Sequence, residues 1–159
     1  MSTDPVLEHA TAVAVALDAD GPLAGALILG PSGSGKSSLA LSLIESCAWR
    51  RTALIADDAV LLEARGASLV ARAPQRISGL IEVRGFGPAS VRLVAGRPII
   101  AAFALARDAP RLASSEERTI AGVAVTAFPL QPGFDAAARL KVILRAILAR
   151  QTAIGSEFQ

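Results

Sequence analysis

Short apolar runs alternate with polar or glycine-rich segments along most of the chain, a pattern typical of strands and turns in an α/β fold. These runs predict strands at residues 11–17, 26–29, 52–56, 59–64, 67–73, 90–94, 99–105 and 123–128. Arg65 and Gly66 separate two of the runs and predict a hairpin turn between them.

Two other segments repeat apolar residues at helical spacing. Leu39, Leu43 and Cys47 predict a helix directly after a glycine-rich loop, with Cys47 on its apolar side. A final helix is predicted after Asp135, a good capping residue, with one apolar stripe formed by Leu140, Ile143, Leu144, Ile147 and Leu148. We therefore expect one α/β domain over residues 1–150, with a mixed sheet flanked by helices, and a frayed C-terminal tail over residues 151–159.

Composition favours a globular chain and argues against nucleic-acid binding. Of the 159 residues, 52% are hydrophobic and 19% are charged, so we expect a core of aliphatic side chains. The net charge is only +2, aromatic residues make up 4%, and the arginines are scattered singly. Cys47 is the only cysteine, which excludes a disulfide within the chain and suits a reducing cytosol.

Neither a secretory signal nor a membrane span is predicted. Asp4 and Glu8 precede the first apolar run, and no positively charged segment leads into it. The longest apolar stretch, residues 98–106, is far too short to cross a bilayer. We therefore expect a cytoplasmic protein that does not bind membranes.

The strand at residues 26–29 leads into the phosphate-binding motif G-x-x-x-x-G-K-S. Its residues are Gly30, Pro31, Ser32, Gly33, Ser34, Gly35, Lys36 and Ser37, and Ser38 follows. Glycines let backbone N–H groups approach a phosphate chain, and the next helix adds the positive end of its dipole. The lysine is suited to the β- and γ-phosphates and the serine hydroxyl to Mg²⁺. An ordinary glycine-rich loop is the alternative, but strand, loop and helix occur in the required order, so we predict nucleoside triphosphate binding.

Asp57 and Asp58 follow directly after the apolar run at residues 52–56. Open α/β sheets bind their ligands at the carboxyl ends of strands. If the strand conformation continued, the two side chains would point to opposite sides, one toward Ser37 and a metal ion, the other toward an incoming hydroxyl. A solvated turn is the alternative, which the preceding phosphate-binding motif makes less favourable.

The roles of three further residues stay open on the sequence alone. Glu82 and Arg84 stand two apart, and on one face of a strand they could form a surface ion pair or bind Mg²⁺ and phosphate. His9, the only histidine, lies just before the first predicted strand, where a surface or packing role is commoner than a functional one.

Several stretches together resemble the catalytic domain of bacterial HPr kinase/phosphorylase, the serine kinase of the phosphotransferase system. In the family's order they are Glu8-His9-Ala10-Thr11, the loop from Gly30 to Ser37, Leu54-Ile55-Ala56-Asp57-Asp58-Ala59-Val60, Ala73-Pro74 and Gly79-Leu80-Ile81-Glu82-Val83-Arg84-Gly85-Phe86-Gly87. The last stretch is similar to the family signature E-[IV]-R-G-L-G, which is much more specific than a phosphate-binding loop. The resemblance runs to about Leu148, is loose beyond Gly87, and is greatest to the short, single-domain members.

The resemblance implies a P-loop kinase domain of the PEP carboxykinase-like kind that transfers the γ-phosphoryl group of ATP to a serine of HPr. It implies that Lys36 and the loop hold ATP, and that Ser37 and Glu82 hold Mg²⁺. His9 and Arg84 would belong to the active site. Asp57 or Asp58 would be the catalytic base, with Asp58 slightly favoured. The family also implies a hexamer.

The same resemblance favours the kinase over the reverse, phosphorolytic reaction. Gln131 and Phe134 occupy positions that are usually basic in the family's late P-V-x-P-G-R region, which is linked to dephosphorylation. Ser38 also stands where the family usually has an acidic residue. Two other functions are compatible with the residues: a small-molecule P-loop kinase and a nucleotide-binding regulatory module without catalysis.

Overall fold

Thirteen helices and strands make up the described part of the computed structural model, residues 4–75, 79–112 and 114–157. The strands are β1 (Val6–Glu8), β2 (Thr11–Val15), β3 (Ala24–Leu29), β4 (Ala53–Ala56), β5 (Val60–Arg65), β6 (Ser68–Arg72), β7 (Leu80–Val83), β8 (Gly87–Ser90), β9 (Arg97–Leu105), β10 (Glu116–Ile120) and β11 (Val123–Leu130). The helices are α1 (Lys36–Glu45) and α2 (Ala136–Glu157).

The main sheet is built around β9. Within the described ranges it has nine strands, and β9 pairs in parallel with β3 along one side. Along its other side, β9 pairs antiparallel with β6 at Arg97 and Pro98, then in parallel with β11 from Ala102 to Leu105, so the sheet divides there. All other pairs in the sheet are antiparallel, in the orders β3-β2-β4, β6-β5-β1 and β11-β10. The predicted mixed sheet is confirmed.

The core lies on both faces of this sheet and consists mainly of aliphatic side chains. Because neighbouring residues of a strand face opposite sides, Val13 and Ala12 of β2 belong to two different buried clusters. Val13 packs in the cluster that includes Leu43 of α1 and Leu140 of α2. The cluster of Ala12 is formed mainly by strand residues, including those of β5 and β6, and contains no helix residue within the described part. Both helices therefore cover one face, and the sheet curls over the other, which confirms the α/β class.

Most of the predicted strands are confirmed. The runs at residues 11–17, 26–29, 52–56, 99–105 and 123–128 form β2, β3, β4, β9 and β11, and β5 and β6 form the predicted hairpin. The strand predicted at residues 90–94 is wrong, because β8 ends at Ser90 and the following segment makes an isolated bridge between Leu93 and Leu54. An alternating pattern predicts an extended backbone, but it does not reveal whether a neighbouring strand pairs with it.

Four strands were not among the predicted runs: β1, β7, β8 and β10. β7 and β8 form a separate two-stranded antiparallel sheet, where a strand was considered only as a condition for pairing Glu82 with Arg84. β1 has three residues, which is too short for a periodic pattern. β10 carries Glu116, Glu117 and Arg118 and is exposed along most of its length, because it is an edge strand paired with β11. Charged residues on an edge strand protect it from pairing with other chains, and they also remove the apolar signal.

The glycine-rich loop is followed by the predicted helix, but that helix is shorter than its apolar spacing implies. α1 ends at Glu45, and the backbone N–H of Ser46 donates to the carbonyl oxygen of Ser42. Cys47 therefore lies beyond the helix and not on its apolar side, although the residue is buried.

The final helix is longer than predicted. α2 begins directly after Asp135, whose carboxylate pairs with Arg139 at 2.8 Å. It continues to Glu157, so the expected frayed tail is wrong for residues 151–157; residues 158 and 159 lie outside the described part. Side chains at 151–155 are exposed, which explains why the apolar stripe stops while the backbone hydrogen bonds continue. Neither described helix is long and apolar enough to cross a membrane.

Candidate functional site

The glycine-rich loop joins the end of β3 to the start of α1, as the motif predicts. Gly30 has φ 153°, and a Cβ at this position would lie 2.5 Å from the Ser34 hydroxyl. Gly35, directly before α1, has φ 102°. Glycine adopts both conformations without strain, so the sequence fixes the path by which the backbone enters the helix.

The side chain of Lys36 turns back across this loop. Its ammonium group donates hydrogen bonds to the carbonyl oxygens of Gly30 at 2.7 Å and Pro31 at 3.0 Å. An ammonium group has three hydrogens, so one is left beyond these two bonds. The residue is only 7% exposed, and its charge lies at the first turn of α1, where unpaired N–H groups already favour an anion.

The carboxylate of Asp57 lies against the start of α1. It accepts hydrogen bonds from the Ser37 hydroxyl, at 2.8 and 3.0 Å, and from the Thr11 hydroxyl at 2.8 Å. Asp57 is 7% exposed and Thr11 is fully buried. The end of β4, the start of β2 and the first turn of α1 are therefore connected by one buried carboxylate.

The carboxylate of Asp58 has a different environment. The backbone N–H of Ala59 donates to the carbonyl oxygen of Asp57 at 2.8 Å, which closes a three-residue turn with Asp58 at its centre and φ 68°. Such a conformation costs about 1–3 kcal/mol in a residue other than glycine and occurs often at functional sites. The side chain is 77% exposed, and its Oδ1 lies 3.3 Å from Nδ1 of His9.

The two aspartates therefore face different partners, as the sequence predicted, but for another reason. β4 ends at Ala56, so strand alternation does not separate them. The tight turn after β4 leaves Asp57 against Ser37 and exposes Asp58.

One cavity of about 560 Å³ brings together most of the predicted site residues. Those that line it are His9, Ser32, Gly33, Gly35, Lys36, Ser37, Ser38, Asp57, Asp58, Glu82 and Arg84. Glu82 lies in β7, and Arg84 lies in the turn between β7 and β8, so a strand face does not bring them together. Among the described residues, the lining does not include three other members of the glycine-rich loop, Gly30, Pro31 and Ser34.

Thr11 was missed by the sequence reasoning as a site residue, yet it lines this cavity and donates to Asp57. A threonine at the start of an apolar strand looks like an ordinary β-branched strand residue. Its position two residues after His9 was the available signal, because residues two apart in an extended segment face the same side.

The oxygen donors in the cavity fit a hard cation. Mg²⁺ is usually bound through one or two carboxylates together with waters and substrate phosphates. The Ser37 hydroxyl and the carboxylates of Asp57 and Glu82 line the same cavity, and Ser37 already lies within hydrogen-bond distance of Asp57. These three side chains could hold Mg²⁺. Ser37 and Glu82 are the pair that the family resemblance implies, and Asp57 is the aspartate that faces Ser37.

A larger cavity lies elsewhere. Its volume is about 780 Å³, and it is lined by Pro110, Arg111, Gln131 and α2 residues such as Arg139 and Val142. Within the described part, none of the predicted catalytic, nucleotide-binding or metal-binding residues lines it. Cavity volume therefore does not identify the site. The site is identified by the glycine-rich loop, Lys36 and the carboxylates, which line the same cavity.

A mixed sheet, a glycine-rich loop between β3 and α1, and carboxylates directly after β4, which β2 separates from β3, define a domain of the P-loop kinase class. The model of the family described as HPr Serine kinase C-terminal domain matches residues 8–105. The chain belongs to this family.

Individual relatives agree with the family match. The chain is 44% identical over 73 residues to the HPr kinase/phosphorylase of Bordetella pertussis, covering 45% of this chain and 22% of that protein. It is 48% identical over 63 residues to the protein of the same name from Clostridium acetobutylicum, covering 40% of this chain and 19% of that protein. The matched part is thus about a fifth of the length of these relatives.

A solved structure shows the same fold. The Hpr(Ser) kinase/phosphatase from Coxiella burnetii superposes with a TM-score of 0.77 at 21% sequence identity, covering 92% of this chain and 99% of that chain. Since the identity is low, this likeness establishes the fold alone.

Proposed function

We propose that this chain is an Mg-ATP-dependent kinase that phosphorylates a serine of the carrier protein HPr and so regulates the phosphotransferase system. The observation that carries the proposal is the exposed Asp58 carboxylate on its strained turn, which lines the same cavity as Lys36 and the glycine-rich loop. The family match and the names of the relatives supply the acceptor.

The contacts within the site support the proposed binding roles. The N–H groups at residues 32–38 and the ammonium group of Lys36 would hold the phosphates of ATP, with Ser38 beside them. The Ser37 hydroxyl and the Glu82 carboxylate would hold Mg²⁺, joined by Asp57, which already contacts Ser37. Mg²⁺ would neutralise charge on the transferred group.

The chemistry needs a base and a cation beside the acceptor. Asp58 would accept the proton of the serine hydroxyl while the serine oxygen bonds to the γ-phosphorus and the bond to the departing ADP breaks. His9, with Nδ1 at 3.3 Å, would orient the Asp58 carboxylate. Arg84, which lines the same cavity, would stabilise negative charge on the phosphoryl oxygens.

The reverse reaction is the weaker part of the proposal. Phosphorolysis would have phosphate attack phosphoserine, release pyrophosphate and return the proton from Asp58 to the serine oxygen. Gln131 and Phe134 lie in the described loop between β11 and α2, and neither offers phosphate a positive charge. We therefore expect transfer from ATP to be the main activity.

The test is incubation with HPr, ATP and Mg²⁺, followed by mass spectrometry to locate phosphate on HPr. We expect phosphoserine from the unaltered protein and none from Lys36→Ala. Asp58→Asn should lower the rate of phosphorylation by roughly 10²-fold or more. Asn tolerates positive φ, so Asp58→Asn should fold and still bind ATP. Asp20→Asn, which neutralises another exposed aspartate, is the matched control and should act like the unaltered protein.

The same experiment separates the rival functions. ATP binding without transfer, unchanged by Asp58→Asn, would favour a regulatory module. ATP turnover that a metabolite stimulates and HPr does not affect would favour a small-molecule kinase.

The expected cellular setting comes from the composition and apolar pattern of the sequence, and the expected hexamer comes from the family resemblance. We propose a cytoplasmic protein that binds neither nucleic acid nor membranes, with a catalytic domain over residues 1–150 and a hexameric assembly. Light scattering on the unaltered protein and on a chain ending at Arg150 would test the assembly and the domain limit together.

A further inference from the structure

A second cavity adjoins the candidate site across the glycine-rich loop. Its volume is about 220 Å³, and Gly35 and Ser38 line both cavities. The loop and the first turn of α1 therefore separate two compartments that a single ligand could occupy together.

The two compartments differ in chemistry. Carboxylates and cations, including Asp58 and Lys36, line the candidate site. The second cavity is lined by apolar groups such as Leu39, Leu105 and Ala137, with the Ser38 and Ser42 hydroxyls, and has no charged lining residue in the described part of the chain. One compartment suits phosphates and the other suits an uncharged ring.

Phe134 lines the second cavity from the loop between β11 and α2, and its side chain is fully exposed. Its neighbour Gly133 has φ 148°, a conformation that favours glycine, and the carbonyl oxygen of Gly133 accepts from the N–H of Ala136. The loop before α2 thus holds the Phe134 ring at the edge of the cavity and in contact with water. An exposed aromatic ring forgoes the free energy that its burial would contribute.

We propose that the second cavity binds the nucleobase of the nucleoside triphosphate and that Phe134 stacks on the base. This inference rests on the proposed function, because it extends the same ligand. The acceptor serine must meet the γ-phosphoryl group at Asp58, so the nucleoside lies at the far end of the phosphate chain. The second cavity begins at Gly35 and Ser38, the residues that it shares with the candidate site. An apolar space with an aromatic ring at its edge fits a base.

Calorimetry with two ligands in Mg²⁺ tests the inference: ATP, and inorganic tripolyphosphate, which has the phosphates without a nucleoside. The unaltered protein should bind ATP more tightly than tripolyphosphate. Phe134→Ala should weaken ATP binding by about five- to 150-fold, the range for base stacking on an aromatic side chain. It should leave tripolyphosphate binding unchanged, and Phe134→Trp should restore the affinity for ATP.

Leu112→Ala is the matched control, since Leu112 is another large, exposed apolar residue (84%) that lines neither cavity among the described residues. Unchanged ATP binding in Phe134→Ala, or equal losses for both ligands, would overturn the inference while leaving the proposed kinase intact. If the unaltered protein bound neither ligand, or if Lys36→Ala bound both as well, the proposed function would fall and the inference with it.

Discussion

Asp57 and Asp58 are adjacent in the sequence, but the turn after β4 gives them unlike environments. Asp57 is buried and accepts three hydrogen-bond contacts from Ser37 and Thr11. Asp58 is exposed beside His9. A buried carboxylate with fixed hydroxyl partners is suited to positioning and metal binding, whereas an exposed one can meet an acceptor from solution.

The hydrogen bond from Thr11 to Asp57 should matter for stability. Thr11→Val keeps the shape of the side chain but leaves the buried carboxylate without one donor, so we expect the free energy of unfolding to fall by about 1–3 kcal/mol. Thr126→Val, at an exposed position of β11, is the matched control and should change it by less than about 0.5 kcal/mol. Urea unfolding of both variants measures the difference, and equal effects would show that the contact contributes nothing.

Cys47 should make stability depend on pH. Burial raises the pKa of its thiol, but hydrogen bonds from the Thr52 side chain and from the N–H groups of Arg51, Thr52 and Trp49 lower it by more, to about 6. The Thr52 hydroxyl oxygen accepts a hydrogen bond from the N–H of Ala16 at 3.0 Å, which leaves the hydroxyl hydrogen available to the sulfur of Cys47. The folded state therefore favours the thiolate, while the thiol of the unfolded chain keeps its ordinary pKa of 9.0.

Between these two values the unfolded chain binds one more proton at Cys47, so this contribution to stability rises with pH. It is complete above the unfolded value and is lost as pH falls through about 6. We expect the difference in unfolding free energy between the unaltered protein and Cys47→Ala to increase from pH 6 to pH 9. Urea unfolding across that range measures it, and a pH-independent difference would contradict a lowered pKa.

At the scale of elements, α2 combines a buried stripe with an exposed face. Leu140 is fully buried, whereas Val142, two residues along, is 61% exposed. Leu140→Ala should lower the free energy of unfolding by about 2–5 kcal/mol, since it removes methylene groups and leaves a cavity. Val142→Ala should change it by less than about 0.5 kcal/mol. Chemical denaturation compares the two, and similar losses would mean that α2 does not pack on the sheet through this stripe.

The sequence predicted features that depend on neighbouring residues. The loop with Lys36 follows from a motif that is contiguous in the chain, and the apolar runs identify β2, β3, β4 and β9. The edge strand β10 and the isolated bridge of Leu93 were missed, because each depends on a partner strand more than on its own composition. The contact of Thr11 with Asp57 was also missed, since it joins residues 46 positions apart.

At the scale of the whole molecule, the candidate site exists only when distant segments meet. His9 lies between β1 and β2, and Thr11 begins β2. Lys36 begins α1, Asp58 lies in the turn after β4, and Glu82 lies in β7. The strand order that brings them together, with β9 beside β3 and β4 beside β2, was not predicted from local patterns. An unfolded chain therefore has no equivalent site, so a ligand of this site should bind the folded state alone.

This coupling gives a prediction for the folded protein as a unit. A nonhydrolysable ATP analogue with Mg²⁺, at about 100 times its dissociation constant, should raise the free energy of unfolding by about 2.7 kcal/mol. Lys36→Ala should abolish the increase at the same ligand concentration. Arg107→Ala, which removes an exposed cation from outside the described lining of the cavity, should retain it. Thermal and urea unfolding with and without ligand measure these changes. An equal increase in Lys36→Ala would mean that the analogue binds elsewhere, because Lys36 supplies the one lysine charge among the described residues lining the cavity.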